Sequence, residues 1–205
     1  MLAAGWHRRY ATGSPLFVEG DPADSVVLII TGRTKIVVVT SDGVEIVLSL
    51  RGPGDLVGEL AIIDNDPRPR SASVVAIEPV ECRMLSATEF RRFLEEHPRA
   101  TIELLRMVAT RLRDAERHRV EFGAVDTSRR LARLLVELAE EAGHTTEEGT
   151  RLEVSLSQQE LAGLVGASRE SVARALTTLR TRGVVSTGRR VVVVRDLGAL
   201  RTYGS

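Results

Sequence analysis

Ser157-Gln158-Gln159-Glu160-Leu161-Ala162-Gly163-Leu164-Val165-Gly166-Ala167-Ser168-Arg169-Glu170-Ser171-Val172-Ala173-Arg174 reads as two short helices around a tight turn. Ser157 and Glu160 have the spacing of a capping box, in which hydroxyl and carboxylate satisfy each other's backbone amides at a helix start. Gly166 supplies the left-handed residue of the turn. Ser168 caps the second helix, which turns Val172, Leu176 and Leu179 inward. Gly183 stops it. Val184–Ser186 and Val191–Val194, joined through Thr187-Gly188, read as a two-stranded wing.

A capped helix, a glycine turn and a second capped helix fit the helix-turn-helix plan. The exposed early residues of the second helix are Arg169, Glu170 and Arg174. Arginine can pair with guanine O6 and N7, and glutamate can accept from cytosine N4. Ser157, Gln158, Ser168 and Ser171 offer groups for phosphates at helix N-termini. An ordinary helical hairpin with charged surface residues fits the same pattern. The 28 basic and 28 acidic residues balance, so net charge selects no partner. From Ser157 onward, however, eight arginines face only Glu160, Glu170 and Asp196. That excess suits a polyanion or a solvated basic face.

Upstream, up to about Leu85, the chain reads as short strands: Val26–Ile30, Ile36–Val39, Ile46–Leu50 and Val74–Ile77. Asp42-Gly43 between two apolar runs is a hairpin signal, and evenly spaced strands suggest a sandwich or barrel. Ser86-Ala87-Thr88-Glu89 is a second capping box, and His97-Pro98 ends that helix and opens another. The helix from Arg99 to about Val125 would be roughly 40 Å long at 1.5 Å per residue. Leu105, Val108, Leu112 and Ala115 recur at three- and four-residue steps. Such a stripe suits a coiled-coil dimer seam or packing on its own domain. Arg119 is a poor seam residue and Phe122 restores the register. Asp126-Thr127-Ser128 caps the next helix, whose apolar face is Leu131, Leu134, Leu135 and Leu138. Gly143 ends it, and a polar loop runs to Thr150.

Between the strands lies Gly58-Glu59-Leu60…Arg70-Ser71-Ala72. Gly58 permits close backbone approach to a ligand, and Glu59 can accept from a sugar hydroxyl. Arg70 offers a fork to a phosphate and Ser71 a hydroxyl. A carboxylate and a guanidinium so arranged suit a ribose–phosphate ligand, or an ion pair across a β-loop.

Taken together, these two cassettes resemble the Crp–Fnr family of bacterial transcription regulators over nearly the whole chain. The resemblance implies an α+β protein with three parts. Residues 1–97 would form a cyclic-nucleotide-binding jelly roll, 98–125 a long dimerisation helix, and 126–205 a winged helix-turn-helix. It implies a homodimer on double-stranded DNA, at a two-fold symmetric operator with half-sites like TGTGA. RNA polymerase is a further candidate partner. Glu59 would bind the ribose 2′-hydroxyl and Arg70 and Ser71 the cyclic phosphate, with Arg169, Glu170 and Arg174 reading bases. The effector would be cyclic AMP or cyclic GMP, and no cofactor is implied. Aligned from Gly58, Arg68 can fill the phosphate role; aligned from Val74, Arg70 does, and Arg70 is preferred because an insertion at Asn65-Asp66 costs less than one inside the following strand. Ala115 and Glu116 stand where cyclic-AMP-binding members carry the adenine-contacting pair. The family's N-terminal helices have no counterpart ahead of the strand-like sequence near Trp6. A regulator that binds DNA without nucleotide, or senses another small ligand, is the alternative.

Other classes fit less well. A cupin-like metalloenzyme needs clustered histidine ligands, and only His7 lies in the β region. The chain is therefore expected not to be an enzyme. Cys82 alone cannot form a disulfide or an iron–sulfur site, and is expected to be a buried core thiol. No stretch is apolar enough to span a bilayer and no signal peptide opens the chain, so a cytoplasmic protein is expected.

Overall fold

The computed structural model describes residues 5–63, 68–152, 156–188 and 191–205, without the Phe122 side chain. The chain forms two compact units, Met1–Leu112 and Arg113–Ser205.

Among the described residues, the first unit holds eight strands: β1 (Trp6–Tyr10), β2 (Pro15–Phe17), β3 (Ser25–Thr31), β4 (Thr34–Val39), β5 (Glu45–Arg51), β6 (Leu56–Val57), β7 (Ser73–Ala76) and β8 (Val80–Ser86). They pair antiparallel in two four-stranded sheets, ordered β1-β8-β3-β6 and β2-β7-β4-β5. Leu16, Phe17, Val27, Ile29, Val74, Cys82 and Met84 from both sheets form one core, so the sheets face each other. Cys82 is fully buried, as expected from its apolar run. The Asp42-Gly43 hairpin forms: Gly43 takes φ +81°, and the Thr40 and Val44 backbones close the turn.

Strand β3 is a continuous apolar run because both of its faces are covered. Val27 and Ile29 face the opposite sheet. Val26 packs on the other side with Leu56, Ile62, Leu85 and Phe90. That second cluster lies under three helices: α1 (Leu60–Ile63), α2 (Ala87–Glu96) and α3 (Pro98–Ala124). Ser86 and Glu89 close the capping box of α2, and Pro98 opens α3. Leu104 and Met107 of α3 pack against the cluster. Leu105 and Leu112, from the expected seam, are 63% and 60% exposed; Val108 is half-buried and Ala115 exposed. The Phe122 side chain, expected to continue the seam, lies outside the described residues.

In the second unit, α4 (Thr127–Ala142) is capped by Asp126 and ends at Gly143. It packs against α5 (Gln158–Val165), α6 (Arg169–Thr181) and α7 (Leu197–Gly204). The expected polar loop from Gly143 to Thr150 is instead two short strands, β9 (His144–Thr146) and β10 (Gly149–Leu152). They extend the wing into a four-stranded sheet, β11-β12-β10-β9, with β11 (Val185–Gly188) and β12 (Val191–Val194). Thr187 and Gly188, expected to link the wing strands, are paired within β11, opposite Val192 and Val191. Arg189 and Arg190 lie outside the described residues. No helix among the described residues is long and apolar enough to cross a membrane.

Candidate ligand pocket and candidate nucleic-acid interface

The pocket cassette begins where β6 ends. Gly58 turns the chain at φ +83°, a conformation that side chains resist. A Cβ there would sit 2.7 Å from both Arg70 Nη1 and Phe17 Cε2. The close approach expected at Gly58 is to a ligand; the near neighbours in the fold are Arg70 and Phe17. Glu59 follows, its carbonyl accepting from the Ile62 and Ile63 amides of α1. That anchorage holds a carboxylate that is only 2% exposed.

Arg70 is also buried. Its backbone is fixed on both sides: its N–H donates to Asp21 O and its carbonyl accepts from Gly20 N. The guanidinium lies over the Phe17 ring, 3.8 Å from the centroid. Nη1 donates to Gly58 O at 2.9 Å and Nη2 to Ser25 O at 2.6 Å, with the Asp24 carboxylate 3.6 Å away. Burial lowers its pKa from the ordinary value, against the opposing pull of Asp24, Glu59 and Asp21. Glu59 and Arg70 thus share one electrostatic neighbourhood. Arg68 is exposed, and so are Ser71 and Leu60. The insertion expected at Asn65-Asp66 lies outside the described residues.

Glu59 has a partner the sequence reading missed. Arg111 of α3 donates from Nη1 to Glu59 Oε1 at 2.7 Å. Its Nη2 reaches Asp55 Oδ1 at 3.0 Å and Leu56 O at 2.9 Å. Burial nevertheless raises the Glu59 pKa above the usual carboxylate value, with Arg111 the largest opposing influence. A helical register was the available signal. Leu104 and Met107 face the roll, and Arg111 continues that face one turn on. Ala115 and Glu116 are exposed residues of α3 in the second unit.

Helix α6 and the turn before it are built by local chemistry. Ser157 Oγ accepts from Glu160 N, and Glu160 Oε2 accepts from Ser157 N at 2.6 Å, so the capping box forms. Gly166 adopts the left-handed conformation, φ 57° and ψ 52°. Ser168 caps α6 by accepting from Ser171 N. Val172, Ala175, Leu176 and Leu179 are buried, which leaves Arg169, Glu170 and Arg174 exposed. Ser168, Ser171 and Arg174 form a chain of side-chain hydrogen bonds, at 3.1 and 2.9 Å, along the start of the helix. The Glu170 carboxyl is held below its ordinary pKa, first by its own backbone amide and then by Ser168. Gln158 is exposed on the first turn of α5. Sequence reading missed Arg180, which donates to Thr177 Oγ1 and to Thr187 Oγ1 of the wing.

A β-roll with a buried carboxylate and guanidinium, a long helix and a winged helix-turn-helix define a class: a regulator with a small-ligand domain and a DNA-binding domain on one chain. Residues 7–97 match the model of the cyclic nucleotide-binding domain, and residues 129–203 that of the Crp-like helix-turn-helix domain. A CRP-like cAMP-activated global transcriptional regulator of Mycobacterium tuberculosis is 36% identical over 91% of this chain and 83% of its own length. The cyclic AMP receptor protein of Thermus thermophilus is 32% identical over 94% and 85%. Among solved structures, the c-di-GMP-responsive global regulator CLP of Xanthomonas campestris superposes with a TM-score of 0.81 at 30% identity, covering 95% of this chain and 96% of its own. FixK2 of Bradyrhizobium japonicum shares the fold, with a TM-score of 0.82 at 23% identity over 98% of each chain. The chain belongs to the Crp–Fnr family of transcription regulators.

Proposed function

We propose that this protein is a homodimeric, sequence-specific transcription regulator of the cytoplasm, switched by a cyclic nucleotide, cyclic AMP, held in the β-roll. The observation that carries this reading is the burial of Glu59 and Arg70 together at the two ends of one cassette. A buried carboxylate and a buried guanidinium match a ribose hydroxyl and a cyclic phosphate, which occur side by side in such ligands. Glu59 accepts from the 2′-hydroxyl. Arg70 has five N–H groups, more than its bonds to Gly58 O and Ser25 O use, and donates to the phosphate beside the Ser71 hydroxyl. Gly58 and Leu60 frame the site, and the long helix carries Ala115 and Glu116 as base-discriminating residues. The exposed Leu105 and Leu112 support a dimer seam, since Leu104 and Met107 already occupy the roll-facing side of α3. The nucleotide need only bind one arrangement of the two protomers better to shift the population.

On DNA, Arg169, Glu170 and Arg174 read half-sites like TGTGA, while Ser157, Gln158, Ser168 and Ser171 meet phosphates. RNA polymerase is the expected further partner at the promoter. Replacing Arg169 by Ala is expected to relax specificity at one base pair by about 1–3 kcal/mol. A binding-site selection that returns an unchanged motif removes its base-reading role.

Calorimetric titration with cyclic AMP and cyclic GMP tests the pocket. Binding is expected for the wild type and its loss for Glu59→Gln, with folding of the variant checked by thermal melting. No heat from either nucleotide, or unchanged affinity in the variant, removes the assignment. A second reading, a different small effector or none, is favoured by one observation: Arg111 already occupies a Glu59 oxygen. The relative named for its c-di-GMP response points the same way. Gel shifts with and without each nucleotide separate the two.

A further inference from the structure

Arg130 is a buried cation in the first turns of α4, 9% exposed, and its donors are spread over backbone carbonyls from two helix ends. Nη1 donates to Glu121 O at 3.1 Å and to Val125 O, at the end of α3. Nε donates to Val165 O at 2.8 Å and Nη2 to Gly166 O at 3.3 Å, at the end of α5. The last carbonyls of a helix have no partner within it and carry partial negative charge. One planar guanidinium serves two such ends at once, which a lysine ammonium on its flexible stem cannot match. One turn further along α4, Arg133 binds the Glu121 carboxylate. The α3 end is therefore held through backbone and side chain together.

Gly166 is the left-handed cap of α5, and Ser168, two residues on, caps α6. Whatever fixes Gly166 fixes the base of the reading helix. We infer that Arg130 is a positioning residue that makes the last turn of α3, the start of α4 and the α5–α6 turn one rigid piece. A tilt at the end of the long helix then reaches α6 without loss in a flexible joint. This holds whatever the roll binds, so it does not depend on the cyclic-nucleotide reading.

Native-state hydrogen exchange on the full chain tests it without any ligand. The reporters are the amides of Val125, Gly166 and Ala167, bonded to Glu121 O, Gly163 O and Ala162 O. In the wild type these three are expected to open as one unit, with opening constants within about threefold and a common denaturant slope. Arg130→Lys is expected to raise exchange at all three by about tenfold or more, while the β10–β12 pair changes by less than about threefold. Three reporters with different denaturant slopes in the wild type overturn the inference, and this arm requires no variant to fold. An even rise across the second unit in Arg130→Lys, the mark of a merely stabilising residue, overturns it too. So does no rise at all.

Discussion

Replacing Gly58 by Ala probes the floor of the pocket, and Gly54→Ala supplies its control. Both glycines have positive φ, +83° and +89°, and they flank β6 on either side. An alanine in the left-handed region costs about 1–2 kcal/mol at either position. At Gly54 nothing lies within 4 Å of the new Cβ. At Gly58 the Cβ meets Arg70 Nη1 and Phe17 Cε2, each at 2.7 Å. Neither neighbour moves easily: Arg70 is bonded to two carbonyls and Phe17 is packed in the core. Forcing a methyl into such a place costs about 1–3 kcal/mol. Gly58→Ala is thus expected to lose about 2–5 kcal/mol and Gly54→Ala about 1–2 kcal/mol. Equilibrium urea unfolding followed by the fluorescence of Trp6 reads the first unit alone, since it is the only tryptophan and lies in β1. Equal losses in the two variants would refute the reasoning, because the steric contribution at Gly58 would then be absent. Gly58→Ala is also expected to weaken nucleotide binding, because it displaces the guanidinium.

The burial of Glu59 makes a pH prediction with a definite sign. Its pKa is raised in the folded chain, so between the ordinary carboxylate value and the folded one the folded state holds more protons. Stability from this group therefore falls as pH rises through that interval, and Glu59→Gln removes the dependence. The stability of the variant relative to wild type, from urea midpoints between about pH 4 and 8, is expected to grow with pH and then level off; a decrease refutes the assignment. Ser168→Ala removes the cap of α6 and is expected to cost about 1 kcal/mol, measured on the second unit by amide exchange along α6. No change would mean that the Ser171 amide finds another acceptor. Leu105→Glu with Leu112→Glu puts charges on the exposed stripe of α3. Sedimentation is expected to show a dimer for the wild type and monomers for the variant; a monomeric wild type or a dimeric variant refutes the seam.

The parts legible in sequence are those fixed by local chemistry. Ser86 with Glu89, Ser157 with Glu160, and Gly166 each act within four residues, and each stands where its pattern put it. The β3 run was legible because burial on both faces leaves an unbroken apolar signal. What stayed hidden depends on distant partners. The segment from His144 to Leu152 is mostly polar, and it is strand because β10 pairs with β12, some forty residues away. Helix α7 carries two glycines in eight residues, a weak helical signal, and is held by its packing on α4. Between the two arginines of the cassette loop, alignment favours Arg70 only through where an insertion falls. In the fold, backbone bonds to Gly20 and Asp21 set Arg70 in the interior, while Arg68 is exposed. Arg111 was overlooked because a charged residue on a long helix reads as solvated. Only the carboxylates of Asp55 and Glu59 show why it points inward.

The seclusion of Cys82 has a practical and a physiological side. Burial raises its thiol to a pKa of about 11, and its Sγ lies 3.6 Å from Arg8 O. At neutral pH on the order of one molecule in ten thousand carries the thiolate that peroxides, maleimides and glutathione attack. Burial and the raised pKa both slow attack at this sulfur. For the experimenter, a cysteine placed anywhere on the surface becomes the single reactive handle for a spin label or dye, with no need to remove the native one.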